Sequence, residues 1–304
     1  MHQIRERGIK MPAQGAVGVI ARQEWMRPLE EKLQDAIHCS FTSGGANGQK
    51  VKNFLHGTWI GHPLHVILTD VPIGAWTAAM VFDVLDSMSR GNQWQSAANG
   101  AIAIGLAGAA GAAIAGLTDW QNTDPPARRI GLTHGLLNVG GVTLFASSLA
   151  MRKRNCGTAG RALSILGYAV ATVAARLGGN MVYEQRVGVD HTSGQTLPDE
   201  FVSVLADSDL AENQPRRVQF QNVPILLVRR NGSIFALAET CSHMGGPLSE
   251  GKLIDQSIKC PWHGSRFALE DGRVLDGPAV HPQPCLEARV ANGQIEIRKR
   301  ASAA

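Results

Sequence analysis

The 304-residue sequence predicts a multidomain chain: an all-α four-helix transmembrane bundle followed by an all-β antiparallel domain. Two observations carry this. Residues 60–180 hold 13 Asp, Glu, Lys and Arg in 121 positions, about 11%, against 41 in the other 183, about 22%. From Phe201 onward, long apolar runs give way to short β-type runs separated by Asn-Gly and Asp-Gly. A mean hydropathy near zero therefore averages a membrane-like middle and soluble flanks.

Residues 1–55 form a polar N-terminal segment. Trp25, Leu29, Leu33 and Ile37 recur about every fourth position, predicting a short amphipathic helix against the membrane or the bundle. Residues 43–48, Ser-Gly-Gly-Ala-Asn-Gly, predict a flexible linker. Residues 56–190 carry four apolar runs, about 66–85, 97–117, 130–151 and 159–177, each long enough to cross a hydrocarbon core of about 30 Å. The second holds ten Ala and five Gly and no charge, a composition that lets membrane helices approach closely. Short connections predict antiparallel neighbours. The competing fold is a soluble Ala-rich bundle.

Flanking charges leave orientation undecided: Arg90, Arg152, Lys153, Arg154 and Arg161 on one side balance Lys50, Lys52, Arg128, Arg129 and Arg186 on the other. No apolar stretch follows Arg5, Arg7 and Lys10, so no signal peptide is predicted. The expected location is the bacterial cytoplasmic (inner) membrane, multi-pass, with both termini and the β domain on the cytoplasmic side. Membrane lipid is then an expected partner. A net charge of +4 without a basic stripe interleaved with aromatics excludes nucleic acid. Five irregularly spaced Cys do not make a disulfide framework and favour metal ligation or a reducing compartment. Cys39, Cys156 and Cys285 are expected to be small core or membrane residues.

Residues 200–304 form the β domain, with hairpin turns of type I′ expected at 231–232, 271–272 and 292–293. Between its hairpins stand Cys241-Ser242-His243 and, after 16 intervening residues, Cys260-Pro261-Trp262-His263. Two thiolates and two imidazoles can hold the two irons of a [2Fe–2S] pair. The same four residue types could bind structural zinc, although common zinc modules pair Cys with Cys and His with His.

With Gly245-Gly246-Pro247-Leu248 and Gly264-Ser265 beside them, these residues resemble a Rieske [2Fe–2S] ferredoxin domain over residues 200–300. The resemblance implies that Cys241 and Cys260 bind the inner iron, and His243 and His263 the outer, more exposed one. Neither loop holds a further Cys, so the loop disulfide of quinol-oxidising relatives cannot form, and the resemblance is to the ferredoxin branch. Ser265 matches a serine able to donate to a cluster sulfur, while Phe267 replaces a tyrosine that raises the potential. A potential between about −150 and +300 mV is therefore expected.

The membrane half has its own motif: Gly61-His62-Pro63-Leu64-His65, Asp70 and Pro72 in the first span, Thr118-Asp119-Trp120 closing the second, His134 and Asn138 in the third, Gly178-Gly179 and Tyr183 at the end of the fourth. Over residues 55–190 this resembles a bacterial four-helix membrane family, domain of unknown function 2231. In an alternating bundle these groups share one membrane face with the tethered β domain, and His65 points inward rather than His62. Intramembrane ionisable groups are expensive and usually functional. Three roles compete: His65 or His62 with His134 as ligands of haem b; the same histidines with Asp70 as a quinone headgroup pocket; or simple fixing of helix packing. His2, His38, His56, His191 and His281 are expected at the surface or in packing.

The chain is accordingly expected to be a membrane-anchored one-electron carrier with unidentified redox donor and acceptor proteins, or quinone, as partners. An anchored ferredoxin serving a separate oxygenase or reductase is the alternative, and quinol oxidation is the enzymatic one.

Overall fold

A computed structural model describes residues 15–89 and 93–300. His2, Arg5, Arg7, Lys10 and Arg90 lie outside the described residues. Helices α1 (Ala16–Ala21), α2 (Arg27–Thr42) and α3 (Gly45–His56) precede four long ones: α4 (Leu64–Met88), α5 (Gln95–Trp120), α6 (Ala127–Lys153) and α7 (Gly157–Tyr183). The last four, 25 to 27 residues each, are long and apolar enough to cross a membrane. They overrun the expected spans at both ends, because their polar first and last turns stay helical beyond the apolar stretch that hydropathy detects.

The bundle is two hairpins, α4 packed along α5 and α6 along α7, which meet each other more sparsely. Glycines permit the close approach inside each hairpin. A Cβ on Gly105 of α5 would lie 2.2 Å from Trp76 Nε1, and one on Gly167 of α7 would lie 3.1 Å from Phe145. Between the hairpins Trp76 and Phe145 stack, ring centroids 4.1 Å apart, over buried Ala79 and Ile102. At the end of the bundle remote from the β domain, the Arg152 guanidinium donates to both carboxylate oxygens of Asp83, at 2.7 and 2.5 Å, and Arg161 pairs with Asp86. The Asp83 carboxylate of the first span is thus neutralised.

One N-terminal expectation holds in outline and one is corrected. Helix α2 forms and lies against the bundle, which it meets through Glu30, Gln34 and, at the edge, Ile37, while Trp25, Leu29 and Leu33 stay exposed. The reason is electrostatic: Arg128 and Arg129 at the start of α6 are largely buried, and Glu30, fully buried, faces both. The expected linker is the start of α3. Gly48 lies so close to α2 that a Cβ would meet the Phe41 carbonyl oxygen at 1.9 Å, so these glycines make a tight helix–helix corner.

The β domain has two antiparallel sheets. Strands β1 (Val202–Ala206), β2 (Arg216–Phe220), β3 (Val223–Arg230), β4 (Ser233–Ala238), β9 (Cys285–Ala291) and β10 (Gln294–Lys299) form a sheet of order β1-β10-β9-β4-β3-β2. The smaller sheet is β5 (Lys252–Ile254), β6 (Ser257–Lys259), β7 (Arg266–Ala268) and β8 (Val274–Asp276) in chain order. The turns at Asn231-Gly232 and Asn292-Gly293 have positive φ at both positions, as type I′ requires. Asp271-Gly272 does not: only Gly272 has positive φ, and Asp271 Oδ1 accepts from the Arg273 N–H. Cys39 and Cys156 are exposed rather than core, because both sit at polar helix ends; Cys285 is half-buried.

Candidate functional site

The loop after β4 carries Cys241 and His243, and the loop between β6 and β7 carries Cys260 and His263. Each is closed by the same pair of backbone bonds. Gly245 N–H donates to the Cys241 carbonyl while Cys241 N–H donates to Gly246; Gly264 N–H donates to the Cys260 carbonyl while Cys260 N–H donates to Ser265. Gly245 and Gly264 have φ of 77° and 80°, a conformation glycine adopts freely. Two equivalent turns thus present Cys and His in the same relation.

The four side chains converge as pairs. Both thiols are buried and in mutual contact, and the imidazoles stand edge to face, centroids 5.0 Å apart. The Cys241 contact, with the N–H groups of Trp262 and His263, brings Cys260 down to about 7, whereas Cys241 is pushed well up by that contact and by burial. Burial holds the His243 imidazole neutral by pushing its pKa far down. Its Nδ1 is buried without a hydrogen-bond partner, an arrangement that is costly unless something else binds there. Gly246 completes the cradle, since a Cβ would sit 2.8 Å from Cys260 Sγ. Among the described residues no three His, Cys, Asp or Glu side chains converge to hold one ion. Two thiols and two imidazoles presented as pairs fit a binuclear cluster, which takes two protein ligands per iron.

Residues 200–287 match the family model of the Rieske [2Fe–2S] domain, and residues 61–191 that of a predicted membrane protein family, domain of unknown function 2231. Over 100 residues the sequence is 34% identical to the ferredoxin component of the p-cumate 2,3-dioxygenase system of Pseudomonas putida, a match covering 32% of this chain and 85% of that protein. The chain belongs to the Rieske [2Fe–2S] family. Apoptosis-inducing factor 3 of Mus musculus is 33% identical over 90 residues, 30% of this chain, but the chain spans only 15% of that protein's length. The ferredoxin of carbazole 1,9a-dioxygenase from Nocardioides aromaticivorans IC177 matches at 24% identity and a TM-score of 0.32, covering 34% of this chain and 100% of that one.

The Rieske domain carries a [2Fe–2S] cluster, and its cradle is closed on one side by the membrane half. Asp124, in the loop between α5 and α6, places Oδ2 3.3 Å from His263 Nε2, and this hydrogen bond holds the Asp124 carboxyl below its usual range. With Nε2 so engaged, Nδ1 is the His263 nitrogen left to face the cradle. Helix α3 is wedged alongside: Asn53 Nδ2 donates to Asp276 Oδ1 at 3.1 Å, and Gly277 N–H donates to Asn53 Oδ1 at 3.1 Å. Next to it, fully buried His56 sets Nδ1 2.6 Å from Asp119 Oδ1. In the connector to the Rieske domain, His191 N–H donates to the Ser242 carbonyl in the first loop.

Ser265 is fully buried. Its Oγ accepts from the Ala279 N–H at 2.9 Å, which leaves the hydroxyl proton free to donate. In the bundle, His65 and His134 are brought together, centroids 6.4 Å apart and perpendicular. His62 is exposed and stands edge-on to His281, 5.9 Å between centroids. Asp70 is exposed, on another face of α4 from His65. The bundle therefore groups two of its four candidate residues.

Asp124 and Asn53 escaped as interdomain contacts, and His56 with Asp119 as the pair that joins α3 to α5. Asp119 belonged to a recognised motif and could have prompted a search for a basic partner on the same membrane face. Asp124, before Pro125-Pro126 in an interhelical loop, carries no such signal.

Proposed function

We propose that this chain is a membrane-anchored one-electron carrier in which Cys241 and Cys260 hold the inner iron and His243 and His263 the outer iron of a Rieske cluster. When bound, the cluster supplies one-electron exchange. The chain's own residues shape that exchange: the thiols and His243 exclude water, Ser265 directs a hydroxyl proton at the sulfur side, and Asp124 orients His263.

The observation that carries the proposal is the His263–Asp124 contact. The outer imidazole is the exposed edge through which such a cluster meets a partner, and here that edge faces the end of the membrane bundle. Electrons then pass between cluster and bundle, where a haem or a quinone at His65 and His134 is the second redox group. The bundle lies in a bacterial cytoplasmic membrane with the Rieske domain on the cytoplasmic side. The test is electron paramagnetic resonance of the dithionite-reduced full chain in detergent, with Cys241→Ser and His243→Cys alongside. A Rieske spectrum lost or converted in the variants is expected; an unchanged spectrum would refute the ligand set.

A second role, an anchored ferredoxin serving a separate oxygenase or reductase, is favoured by one feature. Trp262, beside His263, is 55% exposed and leaves a side open to a protein partner. Relatives named as ferredoxin components of dioxygenase systems support the same role. Donor and acceptor are in either case redox proteins or quinone.

A further inference from the structure

We infer that His65 and His134 are the two axial ligands of a haem iron seated on a pseudo-twofold axis between the helical hairpins. This rests on the electron-transfer role proposed above and specifies its second redox group.

The axis is written in the contacts. His65 and His134, Trp76 and Phe145, Asp83 and Arg152 are each separated by 69 residues, and each pair meets between α4 and α6. The partner helices repeat at a spacing of 62. Gly105 lies under Trp76 and Gly167 under Phe145; Gly116 lies under His65 and Gly178 under His134. The carbonyl of Ala112 meets His65 Nδ1 at 2.8 Å, and that of Ala174 meets His134 Nδ1 at 2.8 Å. Each hairpin therefore offers the same cradle: an imidazole lying on a glycine of the next helix and tied by Nδ1 to a carbonyl one turn away.

Those two bonds decide the chemistry of the pair. A carbonyl oxygen only accepts, so both Nδ1 atoms carry the proton and both Nε2 atoms keep a lone pair. At His134 the Asn138 amide stands 3.1 Å from Nε2 and 3.5 Å from Nδ1, beside the ring rather than along the lone pair, which it leaves open. A quinone carbonyl needs hydrogen-bond donors, and both imidazole N–H groups are already committed to backbone. Two neighbouring imidazoles with unprotonated Nε2 atoms instead suit a Lewis acid, and a backbone carbonyl on the far nitrogen is the usual support of a metal-bound imidazole.

The spacing agrees. Two iron–nitrogen bonds of about 2 Å and two ring radii of about 1.1 Å place the centroids of two axial imidazoles about 6 Å apart. The observed value is 6.4 Å. No third His, Cys, Asp or Glu among the described residues joins the pair, so four positions around the metal lack protein ligands. A porphyrin supplies those four nitrogens, and the sparse contact between hairpins suits a flat apolar macrocycle. His134 lies seven residues into α6, about 10 Å below the end that faces the Rieske domain.

The test is performed on the full chain in detergent, purified from haem-replete cells and then titrated with haemin. Expected are about one haem per chain by pyridine haemochrome, low-spin α and Soret bands in the reduced-minus-oxidised spectrum, and their loss in His65→Ala and His134→Ala with the Rieske resonance retained. His65→Met should shift the bands toward a His/Met spectrum, a change that a role in packing alone would not produce. Asn138→Ala should bind haemin at least as tightly as the wild type. No haem bound after titration, with the Rieske resonance present, would overturn the haem site and leave the carrier role standing. Bands unchanged in the His65/His134 double variant would overturn it as well. Haem bands without any Rieske resonance would instead sink the carrier role and keep the site.

Discussion

Asp124 Oδ2 lies 3.3 Å from His263 Nε2, tying a loop between two membrane helices to the outer imidazole of the Rieske cradle. A carboxylate at this point adds negative charge beside the cluster and hardens the imidazole as a donor; both effects favour the oxidised state. Asp124→Asn should therefore raise the midpoint potential by on the order of 60 mV, equivalent to about 1.4 kcal/mol for one electron. Redox titration followed by electron paramagnetic resonance measures it. An unchanged potential would mean that the two groups separate once the cluster is bound.

Ser265→Ala should act in the opposite direction. Loss of the hydroxyl removes a donor to the sulfur side and lowers the potential by a similar amount, again on the order of 60 mV. It also leaves the buried Ala279 N–H without its acceptor, at a cost of about 1–3 kcal/mol. The same titration, with a thermal melt of the variant, separates the two effects.

Gly246→Ala tests the cradle sterically. Its Cβ would meet Cys260 Sγ at 2.8 Å and the Trp262 ring at 3.1 Å. Cys241 and Cys260 pack into the same core as Leu226, Leu237, Ile258 and Phe267, but a second core on Ile225, Leu227, Ile295 and Ile297 is separate from the cradle, so the fold should survive. The expected result is native far-ultraviolet circular dichroism with cluster absorbance lost or strongly reduced after iron–sulfur reconstitution.

At the far end of the bundle, Arg152→Ala should destabilise the protein by about 3 kcal/mol, the low end of the cost of breaking a buried pair, because Asp83 loses both Arg152 bonds and keeps only Arg161, 3.9 Å away. Replacing both partners, Asp83→Leu with Arg152→Leu, should cost much less. Unfolding of the two variants in detergent, compared with wild type, checks the order.

The Rieske cradle was legible because its chemistry is local. Two segments of three and four residues hold all four candidate ligands, and flanking glycines signal the turns. Four helices were equally plain, since hydropathy needs no tertiary information. What escaped was set by docking. Asn53 meets Asp276 across 223 residues of sequence, and no periodicity announces such a pair. The N-terminal helix shows the limit of pattern reading: its apolar stripe through Trp25, Leu29 and Leu33 was visible, but two buried arginines drew its polar face inward. The glycines at 44–48 read as slack chain because composition alone does not tell a loose glycine from one pressed against a neighbouring carbonyl.

The Asp83–Arg152 pair also bears on how the bundle came to be a single chain. Were the first hairpin to assemble with a copy of itself, Asp83 would confront Asp83; the second hairpin would set Arg152 against Arg152. Only the unlike combination neutralises the charge, so the two halves have diverged past interchange and recognise each other as lock and counterpart. Separately expressed hairpins should therefore associate as an unlike couple in preference to either like one, and the covalent link between α5 and α6 guarantees the one-to-one supply that this recognition demands.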